Sequence, residues 1–163
     1  MVRLAQADDA AAIARIYNEA IDERIATFET DPRSTSDIVA LLGKKGERYP
    51  TVVVEDDGQV VSFAWVSSYR ERPCYRGVGE HSVYADRSVR RGGAGTAALL
   101  ALFEEARRRG FWKLVSRIFV HNAPSRALHV KLGFREVGVY QRHAQLDGEW
   151  IDCVIVEKLL SDD

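Results

Sequence analysis

The chain has few of the residues that build cross-linked or metal-bound proteins. Among its 163 residues are only two cysteines, Cys74 and Cys153, which lie far apart without metal-ligand spacing. Such a pair predicts buried or free thiols rather than a disulfide, and no metal site. Prolines are few and neither a repeat nor a low-complexity tract interrupts the sequence. We therefore expect a single domain over residues 1–163.

Two further absences narrow the possible functions. The formal net charge is −1, so the chain has no basic field to hold nucleic acid or an anionic membrane. It contains no apolar run of about 18 residues, and its first residues lack the apolar core of a signal peptide. We expect a cytoplasmic protein whose partner is a small molecule, with no nucleic acid and no membrane.

Hydrophobic periodicity predicts a short strand, two helices, several strands, and then alternating helices and strands. Thr35 or Ser36 is expected to cap the second helix. Asp-Gly pairs at 57–58 and 147–148 predict tight hairpin turns. Mostly antiparallel strands followed by a βαβ unit indicate an α+β fold, with a mixed sheet and helices on both faces.

The most informative segment lies between a strand ending at about Ala85 and a helix beginning near Thr96. It reads Arg90-Arg91-Gly92-Gly93-Ala94-Gly95. A glycine turn that opens a helix presents free backbone N–H groups and the positive end of the helix dipole, which suits a pyrophosphate. The segment has neither the Gly-Lys-Ser/Thr of a Walker loop nor the spacing of a dinucleotide fingerprint. A purely structural glycine turn is the alternative.

A second segment lies one helix and one strand further on, the separation that a βαβ unit requires. Here Asn122-Ala123-Pro124-Ser125 opens a short helix. The Asn122 side chain both donates and accepts hydrogen bonds, so it suits the amides of an extended ligand. Its alternative role is that of a helix cap.

Together, the Arg-x-x-Gly-x-Gly loop and Asn122 resemble the coenzyme A site of the GNAT superfamily of acyl-CoA N-acyltransferases. The resemblance implies a mostly antiparallel, seven-stranded mixed sheet that splays between its fourth and fifth strands, with acetyl-CoA as acetyl donor. It implies that the cofactor contacts Val83, Tyr84, Ala85, Arg90, Arg91, Gly92, Gly93, Ala94, Gly95, Thr96, Asn122 and Ser125.

Further blocks resemble one branch of this superfamily over nearly the whole chain. The segments 25–30, 69–75, 80–84 and 133–138 are similar to phosphinothricin N-acetyltransferases, and 111–119 and 146–150 to arsinothricin N-acetyltransferases. The resemblance implies an enzyme that acetylates the α-amino group of a toxic glutamate-like amino acid, arsinothricin or phosphinothricin, and so confers resistance. Relatives are commonly dimers whose C-terminal strands meet, which implies a homodimer.

The resemblance also assigns two catalytic candidates. Glu80 matches the glutamate taken to accept a proton from the amine, directly or through water; its alternative is an ion pair with Arg76 or Arg117. His129 stands where most relatives have a tyrosine that is taken to protonate the departing thiolate. Imidazole can donate a proton near neutral pH. A histidine without a catalytic role is the alternative there.

Substrate selection is expected from residues that the cofactor does not use. Arg70 and Arg72 carry guanidinium groups that bind carboxylate, phosphinate or arsinate in a bidentate manner. Tyr75, Phe28 and Tyr84 are candidates to line the acceptor site beside Glu80. Ordinary exposed arginines and a core aromatic are the alternatives.

We expect direct transfer in a ternary complex, with the backbone N–H of Tyr84 or Val83 as the oxyanion donor. The sequence leaves three other functions open. These are acetylation of methionine sulfoximine or methionine sulfone, N-terminal acetylation of peptides, and a non-catalytic acyl-CoA-binding sensor.

Overall fold

The computed structural model describes residues 1–161. The helices are α1 (Ala10–Glu23), α2 (Thr35–Lys45), α3 (Ala94–Arg108) and α4 (Ala123–Lys131). The strands are β1 (Val2–Leu4), β2 (Thr51–Asp56), β3 (Gln59–Ser68), β4 (Val78–Ala85), β5 (Lys113–Phe119), β6 (Arg135–Leu146) and β7 (Glu149–Leu159). Short 3-10 helices span Ala7–Asp9 and Pro73–Tyr75. Within residues 1–161, no helix has the length and apolar character needed to cross a membrane.

The strands form one mixed sheet in the order β1-β2-β3-β4-β5-β7-β6. β4 and β5 pair in parallel, and the other neighbouring strands pair antiparallel. The predicted α+β class with a mixed, mostly antiparallel sheet is therefore confirmed.

The parallel pair separates halfway along its length. Pairing runs only from Val78–Lys113 to Glu80–Val115, although both strands continue beyond it. The Ser116 hydroxyl donates to the His81 carbonyl over 2.9 Å and marks the last link between them. Beyond this point the β4 edge that faces β5 carries no ladder, so a wedge opens in the sheet.

Two hydrophobic layers enclose the sheet, because side chains alternate between the faces of each strand. Phe63 and Trp65 of β3 pack with α1 and α2 on one face. Val66 of β3 packs with Leu99 and Leu102 of α3 on the other face. Helices therefore cover both faces, as predicted.

The cap of α2 lies one residue earlier than predicted. Ser34, rather than Thr35 or Ser36, accepts the backbone N–H of Asp37 at 3.0 Å, and the Asp37 carboxylate accepts the Ser34 N–H at 2.9 Å. This reciprocal capping box satisfies two N–H groups that would otherwise lack partners, which outweighs the alternatives.

Both predicted hairpin turns are present. Asp57 and Gly58 have φ of 47° and 76°, and Asp147 and Gly148 have φ of 50° and 81°. Two successive positive φ values are what a type I′ turn requires. The two thiols are free, with Cys74 exposed and Cys153 buried, which confirms that expectation.

Candidate active site

A cavity of about 580 Å³ occupies the wedge between β4 and β5. The end of β4, the first turn of α3 and the start of α4 surround it, and the last turn of α1 closes one side. All the residues predicted to contact the cofactor line this cavity except Gly92. Four further residues that line the cavity, at the end of α1 and just beyond it, were not predicted from the sequence: Ala20, Glu23, Ile25 and Ala26.

The glycine loop ends in an uncapped helix N-terminus. Gly93 takes the N-cap position with φ +88° and offers no side chain to the helix. The first intrahelical bond runs from the Ala97 N–H to the Gly93 carbonyl, so the N–H groups of residues 94–96 have no backbone partner. Positive φ at Arg91 and Gly93 shapes the turn. Such an arrangement fits a pyrophosphate.

Gly92 shapes the loop from outside the cavity. A Cβ at this position would lie 3.0 Å from the Val89 carbonyl oxygen, which itself accepts the Gly92 N–H. A side chain would therefore require this turn to shift by a few tenths of an ångström.

One of the two loop arginines is already paired. Arg90 Nη1 lies 2.6 Å from Glu23 Oε2 at the end of α1. Arg91 forms no ion pair within residues 1–161. The charge of Arg90 thus fastens the loop to α1, whereas that of Arg91 is available to an anionic ligand.

The exposed edge of β4 presents one of the two predicted oxyanion donors. The Asp86 N–H donates to Val61 on β3, and Phe63 stands opposite Tyr84 in the same register. Hydrogen-bonded pairs alternate in an antiparallel ladder, so the Tyr84 N–H is also directed at β3. The N–H of Val83 points the other way, towards the open wedge. Of the two predicted donors, Val83 is therefore the one that faces the cavity.

Asn122 caps α4 and lines the cavity at the same time. Its Oδ1 accepts the Ser125 N–H at 3.3 Å. The side-chain NH₂ group is left free to donate to a ligand. The two roles considered for this residue are compatible.

Glu80 lies at the apex of the wedge, as the last β4 residue that pairs with β5. Its carboxylate lies 3.1 Å from Arg117 Nη2, and its side chain is 29% exposed. Of the two arginines considered as ion-pair partners of Glu80, Arg117 forms the pair and Arg76 does not. Arg117 lines the cavity, so this pair places the Glu80 carboxylate at the rim of the cleft.

His129 is buried beneath the cavity against a second histidine that the sequence analysis did not single out. His129 Nδ1 donates to the Ser125 carbonyl at 2.7 Å, and its Nε2 lies 2.9 Å from Nε2 of His81. The Nε2 atom of a neutral His129 therefore accepts a hydrogen bond from the His81 Nε2–H. Burial lowers the pKa of His129, and burial together with His129 lowers the pKa of His81 to about 3. Both rings are thus neutral near pH 7.

The residues predicted to select the acceptor are more dispersed. Arg70 stacks on the rings of Tyr69 and Tyr75 at 5.1 and 5.9 Å, and neither it nor Arg72 forms an ion pair within residues 1–161. Phe28 packs on Phe119, with ring centroids 4.7 Å apart, which matches the core alternative. None of Arg70, Arg72, Tyr75 and Phe28 lines the cofactor cavity.

A second cavity, of about 590 Å³, lies on the α1/α2 face of the sheet. Ser82 and Tyr84 of β4 line both cavities, so the two meet across this strand. Its walls come from α1, α2 and the connection between them. The sequence does not predict this second cavity, because α2 carries no recognised motif.

Comparisons with known proteins agree with this geometry. Residues 13–134 match the acetyltransferase (GNAT) family. An L-methionine sulfoximine/L-methionine sulfone acetyltransferase of Salmonella typhimurium is 33% identical over 99% of this chain and 95% of its own. A phosphinothricin N-acetyltransferase of Streptomyces viridochromogenes is 30% identical over 93% of this chain and 82% of its own.

A solved structure gives the same result. The phosphinothricin acetyltransferase of Sinorhizobium meliloti, in complex with acetyl-CoA, superposes with a TM-score of 0.93 at 31% identity, covering 99% of this chain and 89% of that one. The chain belongs to the GNAT family of acetyltransferases. Within that family it is an acetyl-CoA-dependent enzyme of the phosphinothricin and methionine sulfoximine branch.

The residues of the wedge fit acetyl-CoA. The free amides of residues 94–96 suit its pyrophosphate, and the unpaired edge of β4 with Asn122 suits its pantetheine amides. Bound there, acetyl-CoA supplies the activated acetyl group.

Proposed function

We propose that this chain acetylates the α-amino group of a glutamate-like toxic amino acid in the cytoplasm, with phosphinothricin or arsinothricin as substrates and resistance as the outcome. The observation that carries the proposal is the pair of unneutralised guanidinium groups at the end of β3. Most other arginines of the described chain pair with a carboxylate, whereas Arg70 and Arg72 do not. They lie in the loop that leads to β4 and Glu80. An anionic group of such an acceptor would complete this region.

In the proposed mechanism Glu80 removes a proton from the acceptor ammonium, directly or through a water molecule. An α-amino group is largely protonated at neutral pH, so transfer requires such a base. The neutral amine then attacks the thioester carbonyl in a ternary complex. The Val83 N–H stabilises the oxyanion that develops, since it is the predicted donor directed into the wedge.

His129 has a different role in this proposal from the one its position first suggested. Both ring nitrogens already have protein partners. A neutral imidazole that gave up its remaining proton would become an anion, far more basic than the thiolate it would serve. We propose that His129 positions Ser125 and the start of α4 rather than donating the proton itself.

Two substitutions at His129 separate positioning from acid catalysis. We expect His129→Gln to keep kcat within about tenfold of the parent, because an amide can still accept the His81 N–H. We expect His129→Leu to lower the free energy of unfolding by about 1–3 kcal/mol, since it leaves that buried N–H without an acceptor. A His129→Gln enzyme that folds normally but loses about 10²–10⁴ in kcat would instead make His129 the general acid. Steady-state kinetics and urea unfolding give both readouts.

The substrate proposal is tested by release of free thiol from acetyl-CoA across a small panel. The panel contains phosphinothricin, arsinothricin, methionine sulfoximine, methionine sulfone, glutamate and a short peptide. We expect kcat/KM for phosphinothricin or arsinothricin to exceed that of the other acceptors by at least about tenfold. Against the uncharged sulfoximine and sulfone head groups, the reason is a charged-group hydrogen bond that contributes roughly 1.5–3 kcal/mol.

The other outcomes each point to one of the alternatives. Turnover of the sulfone and sulfoximine alone would keep the chemistry and reject the anionic head group. Turnover of the peptide alone would identify an N-terminal acetyltransferase.

We also propose a homodimer in which C-terminal strands meet. β6 is an edge strand, and three of its side chains, Val137, Val139 and Tyr140, are about half exposed together with Trp150 of β7. An exposed apolar edge of this kind favours pairing with another chain. The segment 140–150 would then approach the partner's active site.

A further inference from the structure

A buried lysine without a carboxylate partner lies in the second cavity. Lys45, the last residue of α2, is only 8% exposed. Its Nζ donates to the Val66 carbonyl and to Ser67 Oγ, each at 2.7 Å, and lies 4.9 Å from the centre of the Trp65 ring. Within residues 1–161 it forms no ion pair. A buried charge usually has a counter-ion, because its desolvation is costly.

The two carboxylates in the walls of this cavity have other partners. Glu29 pairs with Arg33 at 2.9 Å. Asp37 accepts the Ser34 N–H in the capping box of α2. Neither carboxylate therefore neutralises Lys45. The unpaired ammonium of Lys45 itself favours an anion in this cavity.

The ammonium keeps one donor for a ligand. An ammonium carries three N–H groups, and the Val66 carbonyl and Ser67 hydroxyl accept two of them. Trp65 and Ser67, which hold it, both line the cavity. Burial lowers the pKa of Lys45 to about 8, and a bound anion would favour its charged form.

The location of Lys45 relates it to the reacting centre. Ser67, which accepts from Lys45, stands opposite Glu80 in the β3–β4 register. Ser67 and Glu80 therefore lie about one strand spacing, ~4.8 Å, apart, and Lys45 Nζ lies 2.7 Å from Ser67 Oγ. The α-carboxylate of the acceptor is bonded to the same carbon as the reacting amine, so it stays near Glu80. The head group lies at the far end of a glutamate-like side chain and can reach further from the base, towards Lys45.

We propose that Lys45 binds the anionic head group at the end of the acceptor's side chain, inside the second cavity. The assignment rests on the proposed function and deepens it. The ammonium of Lys45 accounts for a preference for acidic over neutral side chains, while Arg70 and Arg72 remain available for the α-carboxylate.

Two acceptors that differ in head-group charge test this assignment. Phosphinothricin carries an anionic phosphinate, whereas methionine sulfone carries a neutral sulfone, and both have an α-carboxylate. We expect Lys45→Met to raise KM for phosphinothricin at least about tenfold and KM for methionine sulfone much less. Lys44→Met is the matched control, since it removes the same charge from an exposed neighbour in the cavity wall. It should change both KM values less than threefold.

Results that contradict only the assignment of Lys45 differ from results that also contradict the proposed function. An equal rise in both KM values, or no rise in either, would overturn the assignment while leaving the proposed function in place. Neither binding nor turnover of any amino acid by the unmodified enzyme would overturn both. If Lys45→Met fails to fold, protection of the unmodified enzyme decides: phosphinothricin should slow modification of Lys45 by an amine reagent, measured by mass spectrometry, and methionine sulfone should not. Equal protection by the two acceptors would overturn the assignment.

Discussion

Replacing Glu80 with glutamine is expected to lower kcat by about 10²–10⁴, the contribution typical of a positioned general base. The amide is close in size to the carboxylate but cannot accept a proton from the acceptor ammonium. Binding of acetyl-CoA should stay within about threefold of the parent, because Glu80 lies outside the cavity lining. Thiol-release kinetics and calorimetric titration with acetyl-CoA measure the two quantities.

The same variant should recover part of its activity as the pH rises. At higher pH a larger fraction of the acceptor amine has lost its proton to solvent, so less work is left for a protein base. A variant that had lost only a structural contact would show no such recovery. The pH dependence of kcat/KM for Glu80→Gln therefore distinguishes a general base from a residue whose contacts only stabilise the strand.

The ion pair with Arg117 requires its own control. Arg117→Met breaks the same 3.1 Å contact while leaving the Glu80 carboxylate in place. If Glu80 acts as the base, this variant keeps much more activity than Glu80→Gln, and the double variant resembles Glu80→Gln. Equal losses in the two single variants would identify the contact itself as the function of Glu80. A double-mutant cycle separates these results, because the two residues touch.

Local signals were enough to predict the cofactor cleft. The loop at 90–95 and Asn122 each carry their chemistry in consecutive residues, and a βαβ connection brings such segments to the same edge of a sheet. The alternation of apolar residues likewise predicted the strands, and the two Asp-Gly pairs predicted the hairpin turns. Helix ends differed by one or two residues: α2 is capped by Ser34, because neighbouring hydroxyls compete for one helix end, and α3 begins at Ala94 rather than near Thr96.

The acceptor side could not be predicted in the same way, because its contacts join segments distant in the chain. His81 and His129 meet across 48 residues, and Lys45 reaches Ser67 across 22. No pattern near Lys45 distinguishes it from the exposed Lys44, and only the packing of α2 on β3 buries one and not the other. Phe28 is the opposite case. It lies in the segment 25–30 that resembles the family, yet its ring packs on Phe119 and does not line the cofactor cavity.

Val83→Pro is expected to lower kcat by about 10²–10³, the loss typical of one missing oxyanion donor. Proline removes the backbone N–H that the register directs into the wedge. It does so without breaking the ladder to β3, since that N–H takes no part in it. Proline is tolerated in strands at positions whose N–H faces away from a neighbouring strand.

Val83→Ala is the matched control, because it shortens the same side chain and keeps the N–H. The side chain of Val83 approaches Gly95 across the cleft, so part of any loss could come from packing. The difference between the proline and alanine variants isolates the hydrogen-bond donor. Tyr84→Pro should behave in the opposite way: it removes a donor directed at β3, so it should lower thermal stability before it affects the chemistry.

The three variants therefore test the register as well as the mechanism. If Tyr84→Pro folds normally and loses turnover, while Val83→Pro matches Val83→Ala, then the donor is Tyr84 and β4 presents its other set of amides to the wedge. If the proline variant at Val83 alone loses kcat with an unchanged KM for the acceptor, the missing group acts on the transition state and not on substrate binding. That result would connect the separation of β4 from β5 directly to catalysis, because a β4 paired along its whole length would have no amide left to offer.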